Sequence, residues 1–188
     1  MAYVLKSARY LAAECHCQLL NPGDRVIDAT MGNGQDTLAL ARLVGETGKV
    51  AAFDVQEAAV NRTRALLKQE GLLDRCDLHL MGHEHVLQVV GEPVRLAVFN
   101  LGWLPGGDKS VTTRWETTRK AMEGCLQLLL PGGVCTVCAY PGHEEGNREL
   151  QELRAFLASI PPQAFNVLHQ QFINAGRGSP ECFILQRQ

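Results

Sequence analysis

Apolar residues at Val4, Ala8, Leu11, Ala12, Cys15 and Leu19 recur three or four apart, which predicts a helix over residues 3–20 with one face to pack on a sheet. Asn21-Pro22-Gly23-Asp24 stops it with turn-forming residues. The pattern then changes to short β-branched runs alternating with helical stripes. Residues 25–29 read as a strand, 35–43 as a helix packing Leu38, Ala39 and Ala41, and 45–48 as a turn. Residues 49–54 form a second strand ending in an acid, and 58–70 a helix capped by Gly71, which tolerates the left-handed conformation of a helix C-terminus. A third strand covers 77–81, a short helix 85–90 and a fourth strand 95–100. The near-continuous apolar run 96–99 is that of a parallel strand buried on both faces.

Residues 101–112 make a loop rich in Gly and Pro, longer than a bare connection needs, and such loops tend to carry function. Thr113-x-x-Glu116 reads as a capping box opening a helix to residue 130, with Trp115, Met122, Cys125, Leu126 and Leu129 as its stripe and Pro131-Gly132-Gly133 ending it. A fifth strand covers 134–140, a helix 144–159, and two strands, 165–173 and 181–186, flank the turn-rich segment 174–180. Five βα units followed by a strand pair predict an α/β fold: a doubly wound, Rossmann-like, seven-stranded sheet with an antiparallel C-terminal hairpin strand. This is the plan of class I methyltransferases.

The 188-residue length fits one domain, residues 1–20 forming its N-terminal helix. A net charge of −2 argues against coating nucleic acid with the whole surface but leaves room for a local basic patch. Lys6, Arg9, Glu14 and His16 interrupt the first helix, so it is neither a signal peptide nor a membrane span, and a cytoplasmic protein is expected. Seven cysteines without an export signal read as reduced thiols. Cys135 and Cys138 are three apart on a strand, and Cys15 and Cys17 two apart on a helix, so neither pair converges on one ion. His83-Glu84-His85, adjacent at a strand end, is not read as a ligand set either, and no metal is predicted.

In a doubly wound sheet ligands sit beyond the C-terminal strand ends at the switch point, which here gathers residues 28–34, Asp54, 82–84, 100–105 and 140–143. The first strand runs into V-I-D-A-T-M-G-N-G, residues 26–34. A nicotinamide loop wants a third glycine where Thr37 stands. An S-adenosylmethionine loop wants an acid and then glycines, which Asp28-x-Thr30-x-Gly32-x-Gly34 supplies with one glycine replaced by threonine. Gly32 and Gly34 would let backbone approach the methionine part, and Asp28 would anchor the loop or meet the ammonium. Asp54, twenty residues after Gly34, would accept from both ribose hydroxyls. Gln56 either touches the ribose or adenine edge or caps the next helix, and His83 and Glu84 lie where adenine is flanked in this plan.

The loop after the fourth strand reads N-L-G-W-L-P-G-G-D-K-S from Asn100, where amino-group methyltransferases carry Asn-Pro-Pro-Tyr-like motifs. An amine attacking a sulfonium methyl in line needs acceptors that aim its lone pair, such as the Asn100 amide oxygen. Trp103 would stack on the base bearing the amine. Lys109, Arg114, Arg119 and Lys120 form the densest basic group, suited to phosphates, or to a solvated face paired with Glu116 and Glu123.

Three segments carry a family resemblance: D-A-T-M-G-N-G-Q-D-T-L at 28–38, F-N-L-G-W-L-P-G-G-D-K-S at 99–110 and Y-P-G-H-E-E-G at 140–146. The chain resembles bacterial proteins first described as rRNA methylases and now associated with tRNA (5-aminomethyl-2-thiouridine) methyltransferase activity. The resemblance implies methyl transfer from S-adenosylmethionine to the primary amine of 5-aminomethyl-uridine at the wobble position. It also implies a cofactor loop of Asp28, Thr30, Gly32, Asn33 and Gly34 with Asp36 and Thr37 at the helix start. The acceptor loop would be Asn100, Leu101, Gly102, Trp103, Pro105, Asp108 and Lys109, with Tyr140 and His143 beside it. Trp103 stands where Tyr is also common, which keeps stacking and removes a hydroxyl. Asp108 or His143 would take the amine's proton, Arg114 and Arg119 would hold the tRNA anticodon stem-loop, and the protein would be a homodimer. The competing readings are an rRNA or small-molecule methyltransferase and, from another class, a non-catalytic nucleotide-binding protein or dinucleotide oxidoreductase.

Overall fold

Along β1 (Arg25–Asp28) and β4 (Val94–Asn100) successive side chains enter different cores, as the two-residue period of a strand requires. Ile27, Ala97 and Phe99 join one buried cluster; Val26, Leu96 and Val98 join another on the opposite face. The computed structural model describes residues 7–108, 110–176 and 178–188. Its strands continue with β2 (Lys49–Asp54), β3 (Cys76–Leu80), β5 (Leu129–Ala139), β6 (Phe165–Gln170) and β7 (Glu181–Arg187). The helices are α1 (Ala8–Leu19), α2 (Gln35–Leu43), α3 (Glu57–Gln69), α4 (Val86–Val89), α5 (Trp115–Leu128) and α6 (Glu144–Ser159).

One sheet of order β3-β2-β1-β4-β5-β7-β6 holds all seven strands. The first five are parallel, and β7 runs antiparallel to β5 and to β6. Between β1 and β4 the chain reverses its direction of travel across the sheet. The strand ends there open a crevice because the connecting segments leave to opposite faces. Helix α1 covers a third, small cluster of Ala8, Ala12, Cys138 and Cys182. Cys135 lies in the first cluster, so it and Cys138 face opposite ways as their spacing predicted.

The boundaries differ from the sequence pattern where backbone chemistry decides them. Residues 3–6 of the expected first helix lie outside the described residues; the described helix starts after Ser7. Pro131-Gly132-Gly133, expected to end a helix, lies inside β5, where pairing steps from Val94↔Leu129 to Leu96↔Val134. A bulge absorbs these residues, since it leaves Pro131 without a ladder bond to donate, and Gly132 takes φ +72° there. Strand β6 stops at Gln170, short of the expected Ile173, which is 99% exposed. Gly71 caps α3 as expected, with φ +69° and the Leu72 N–H donating back to the Leu67 carbonyl at 2.9 Å.

Candidate active site

Strand β1 ends on Asp28, which is wholly buried. Its carboxylate accepts the Thr30 N–H at 3.2 Å and the Thr37 hydroxyl at 2.7 Å. Burial, followed by the nearby Asp36 charge, pushes its pKa up to about 7. Asp28 therefore anchors the loop to the start of α2, the first of its two expected roles. Gly34 holds φ +79°, and a Cβ there would sit 2.7 Å from the Thr63 hydroxyl. Its bareness lets α3 approach, and the Thr63 hydroxyl donates to the Gly32 carbonyl at 3.1 Å. Asp28, Gly34 and Thr37 thus shape the loop and are not among the residues lining the cavity.

The cavity above these strand ends measures about 820 Å³, within the usual size of a small-molecule site. One half is lined by Thr30, Gly32, Asn33, Asp54, Gln56, His83 and Glu84. Asp54 accepts the Gln56 N–H at 2.9 Å through Oδ1 and the Gly32 N–H at 3.0 Å through Oδ2. Each oxygen keeps a lone pair, and partial burial raises the carboxyl's pKa against those hydrogen bonds. Gln56 is the N-cap of α3 by position but makes no side-chain cap bond, which leaves its amide to the cavity. The His83 Nδ1 lies 3.0 Å from the Ala29 carbonyl; a carbonyl only accepts, so Nδ1 carries the proton. Burial lowers the His83 pKa, so the ring is neutral with Nε2 as its acceptor. Among the described residues no group of three or more His, Cys, Asp or Glu is placed to hold a metal.

The other half is lined by Asn100, Leu101, Gly102, Trp103, Leu104 and Pro105, with Tyr140 and His143 across from them. The Asn100 N–H donates to the Thr30 hydroxyl at 2.7 Å and its Nδ2 donates to Asp36 at 2.8 Å. Trp103 packs on His143 with ring centroids 4.1 Å apart. Burial pushes the Tyr140 phenol up to about 12, so it is neutral and able to donate. Cofactor loop and acceptor loop meet directly: Asn33 Nδ2 donates to the Pro105 carbonyl at 3.1 Å.

Several expected roles change. Asp108 is exposed, takes the Ser110 N–H at 2.8 Å and is absent from the cavity wall, so it closes a turn. His143 does line the cavity, but its Nδ1 accepts the Gly146 N–H at 3.1 Å as the N-cap of α6. Its Nε2 is buried and has no hydrogen-bond partner among the described residues. Arg119 pairs with Glu123 at 2.9 Å on the outer face of α5 and does not line the cavity, whereas Arg114 does. Lys109 lies outside the described residues. The capping box does not form: Arg114, extended at φ −134°, precedes the helix with no side-chain cap bond. Thr113 instead accepts the Gly102 N–H at 2.8 Å and donates to Glu149 at 2.6 Å.

Sequence reasoning missed Arg9, Thr112 and Thr113, all on the cavity wall, and Glu149 behind it. Glu149 is 1% exposed. Its one sequence signal is position, an acid falling within the Gly146, Leu150, Leu153, Leu157 stripe of α6.

A family model described as "Putative rRNA methylase" matches residues 50–186. The chain belongs to this family. A crystal structure described as a putative rRNA methylase from Clostridium thermocellum is 36% identical, with TM-score 0.97, and the match covers 99% of this chain and 100% of that one. A putative methyltransferase from Streptococcus mutans, solved with SAH, is 34% identical with TM-score 0.90 over 98% and 100% of the two chains. The chloroplastic tRNA (mnm(5)s(2)U34)-methyltransferase of Arabidopsis thaliana is 36% identical over 91% of this chain. The chain spans 66% of that plant protein's length. Family and fold together make the chain a class I S-adenosylmethionine-dependent methyltransferase. The described helices include none long and apolar enough to cross a membrane.

Proposed function

We propose that this chain methylates the primary amine of 5-aminomethyl-uridine, with or without 2-thiolation, at the wobble position of tRNA. The observation that carries the reading is Asn100, whose amide nitrogen is tied to Asp36 while its oxygen receives no hydrogen bond from the described residues. Asn100 lines the cavity at the switch point, as do Leu101, Trp103 and Leu104. The plant relative's name supports the substrate.

The cavity residues fit S-adenosylmethionine: Asp54 offers lone pairs to two ribose hydroxyls, Gln56, His83 and Glu84 offer contacts to the base, and Thr30, Gly32 and Asn33 border the methionine part. When bound, it supplies a methyl group on a cationic sulfur. Asn100 Oδ1 accepts one amine N–H and turns the nitrogen lone pair toward that methyl. The N–C bond forms as the S–C bond breaks, and the extra proton on nitrogen passes to solvent. Leu101 and Leu104, 2% and 6% exposed, make an apolar surround that disfavours the ammonium form and so favours the reactive neutral amine. Trp103, braced by His143, offers its face to the uracil ring, and Arg114 at the wall is suited to a phosphate of the anticodon stem-loop. The cytoplasm and a homodimer go with this reading; seven free cysteines fit a reducing compartment.

The test is incubation with S-adenosylmethionine and tRNA from cells lacking the last methylation, followed by nucleoside mass spectrometry. Gain of one methyl on aminomethyl-thiouridine is expected, and no gain there overturns the substrate. Asp54→Ala should weaken cofactor binding, while Asn100→Ala should slow single-turnover transfer on the order of a hundredfold with cofactor still bound.

A further inference from the structure

Three charged or polar groups form a line across the wall of the cavity, from α1 through the start of α2 to the end of β4. Arg9 Nε donates to both carboxylate oxygens of Asp36, at 3.0 and 3.1 Å, and Nη2 adds a contact of 2.5 Å to Oδ1. Asp36 Oδ2 accepts from Asn100 Nδ2 at 2.8 Å. All three residues line the cavity. A carboxylate has only acceptors, so the amide half that faces it must be the NH₂. Turning the amide over would set its oxygen against the Asp36 oxygens and lose the hydrogen bond. The Asn100 backbone is fixed separately through Thr30, so the line governs the side-chain amide alone.

We infer that Arg9 and Asp36 are positioning residues for methyl transfer: Arg9 holds the Asp36 carboxylate, and Asp36 sets the Asn100 amide with its oxygen toward the acceptor. The inference rests on the proposed role of Asn100, and it moves Asp36 from the cofactor side, where the resemblance placed it, to the acceptor side. Arg9 is needed because Asp36 is a partly exposed residue at a helix start with alternatives in water. A two-toothed guanidinium grip removes that freedom. It also cancels a negative charge that would otherwise favour the unreactive ammonium form of an entering amine. Helix α1 thereby takes part in the site, and His16, bonded to Thr136 at 2.9 Å, fastens that helix to β5.

The test compares wild type with Asp36→Asn, Arg9→Met and Arg9→Lys by single-turnover transfer to the undermethylated tRNA and by calorimetry with SAH. Asp36→Asn and Arg9→Met should each lower the saturating rate about tenfold while SAH affinity and the KM for tRNA stay within about threefold, and Arg9→Lys should recover part of the loss. In an Asn100→Ala background the same changes should cost nothing further, because their effect passes through Asn100. A loss of SAH affinity as large as the loss of rate would return Asp36 to the cofactor side and overturn the inference. So would an undiminished effect of Arg9→Met in the Asn100→Ala enzyme, which would mean that Arg9 merely packs α1. A substrate-free arm separates this from the substrate reading: the Asn100 side-chain NH₂ signals, identified by their loss in Asn100→Ala, should exchange slowly with solvent in wild type and fast in Asp36→Asn. Unchanged exchange overturns the positioning role, whereas wild type that transfers no methyl to the tRNA overturns the substrate and leaves this arm to decide.

Discussion

Asp28 and His16 are buried groups whose titrations oppose one another. Asp28 is raised from 3.8 to about 7, chiefly by burial; a carboxyl raised in this way binds its proton more tightly folded than unfolded. Its contribution to stability is full below the unfolded value and is lost as pH climbs through the folded one. His16 is lowered from 6.5 to about 4, again chiefly by burial, so its contribution is full above 6.5 and is lost as pH falls toward 4. Between about pH 4 and 6.5 the two slopes cancel in part, each at most about 1.4 kcal/mol per pH unit. Removing one should expose the other. Asp28→Asn keeps an acceptor for the Thr30 N–H and can donate to the Thr37 oxygen; its stability relative to wild type should rise with pH from about 4 to 7 and then level off. His16→Gln should do the reverse, its stability relative to wild type falling from pH 4 to 6.5. Urea unfolding across this range measures both, and an Asp28→Asn difference that stays flat would mean that Asp28 does not ionise in the folded protein as its burial dictates.

At the scale of elements, α5, α6 and the acceptor loop are joined through one carboxylate. Glu149 on α6 accepts the Thr118 hydroxyl of α5 and the Thr113 hydroxyl of the loop, both at 2.6 Å, and burial raises its pKa against those bonds. Thr118→Val matches the shape but leaves a buried acceptor without its donor, so it should cost about 1–3 kcal/mol in chemical denaturation. Thr118→Ser should restore most of the loss, and equal stabilities for the two variants would show that Glu149 does not depend on this bond. The elements themselves were legible because periods of two and of three to four residues report which faces are buried. Asp54 and Asn100 were legible because topology alone brings strand ends to a switch point. Glu149 was not: within E-E-G-N-R-E-L-Q-E-L-R it looks like another acid of a solvated face, and only tertiary packing separates it from Glu145 or Glu152. Thr113 was misread for a related reason, since a hydroxyl before a helix satisfies a capping pattern whether or not another element claims it. Asp28 could be placed but left with two alternative roles, because the residue that completes its shell, Thr37, comes from the next helix.

Across the whole molecule, the two halves of the cavity share a wall. Asn33 of the cofactor loop holds the Pro105 carbonyl of the acceptor loop and is itself held by Arg62 of α3 at 3.1 Å. Leu104, 6% exposed, lies against Gly32, where a Cβ would meet its Cδ1 at 3.4 Å. Order gained on the cofactor side should therefore pass to the acceptor side before any RNA arrives, preparing the loop that receives the amine. Hydrogen exchange with and without SAH tests this. Protection should appear at residues 28–36, 53–56 and 81–84, which border the cofactor half, and also at 101–108, which need not touch SAH at all. Asn33→Ala removes the hydrogen bond to the Pro105 carbonyl while sparing Asp54 and His83. In that variant 53–56 and 81–84 should remain protected by SAH while protection of 101–108 falls away, because exchange reports local opening and the contact that opposed it is gone. Protection confined to the cofactor half in wild type would mean that the loops move independently, and the acceptor loop would then have to be ordered by RNA alone.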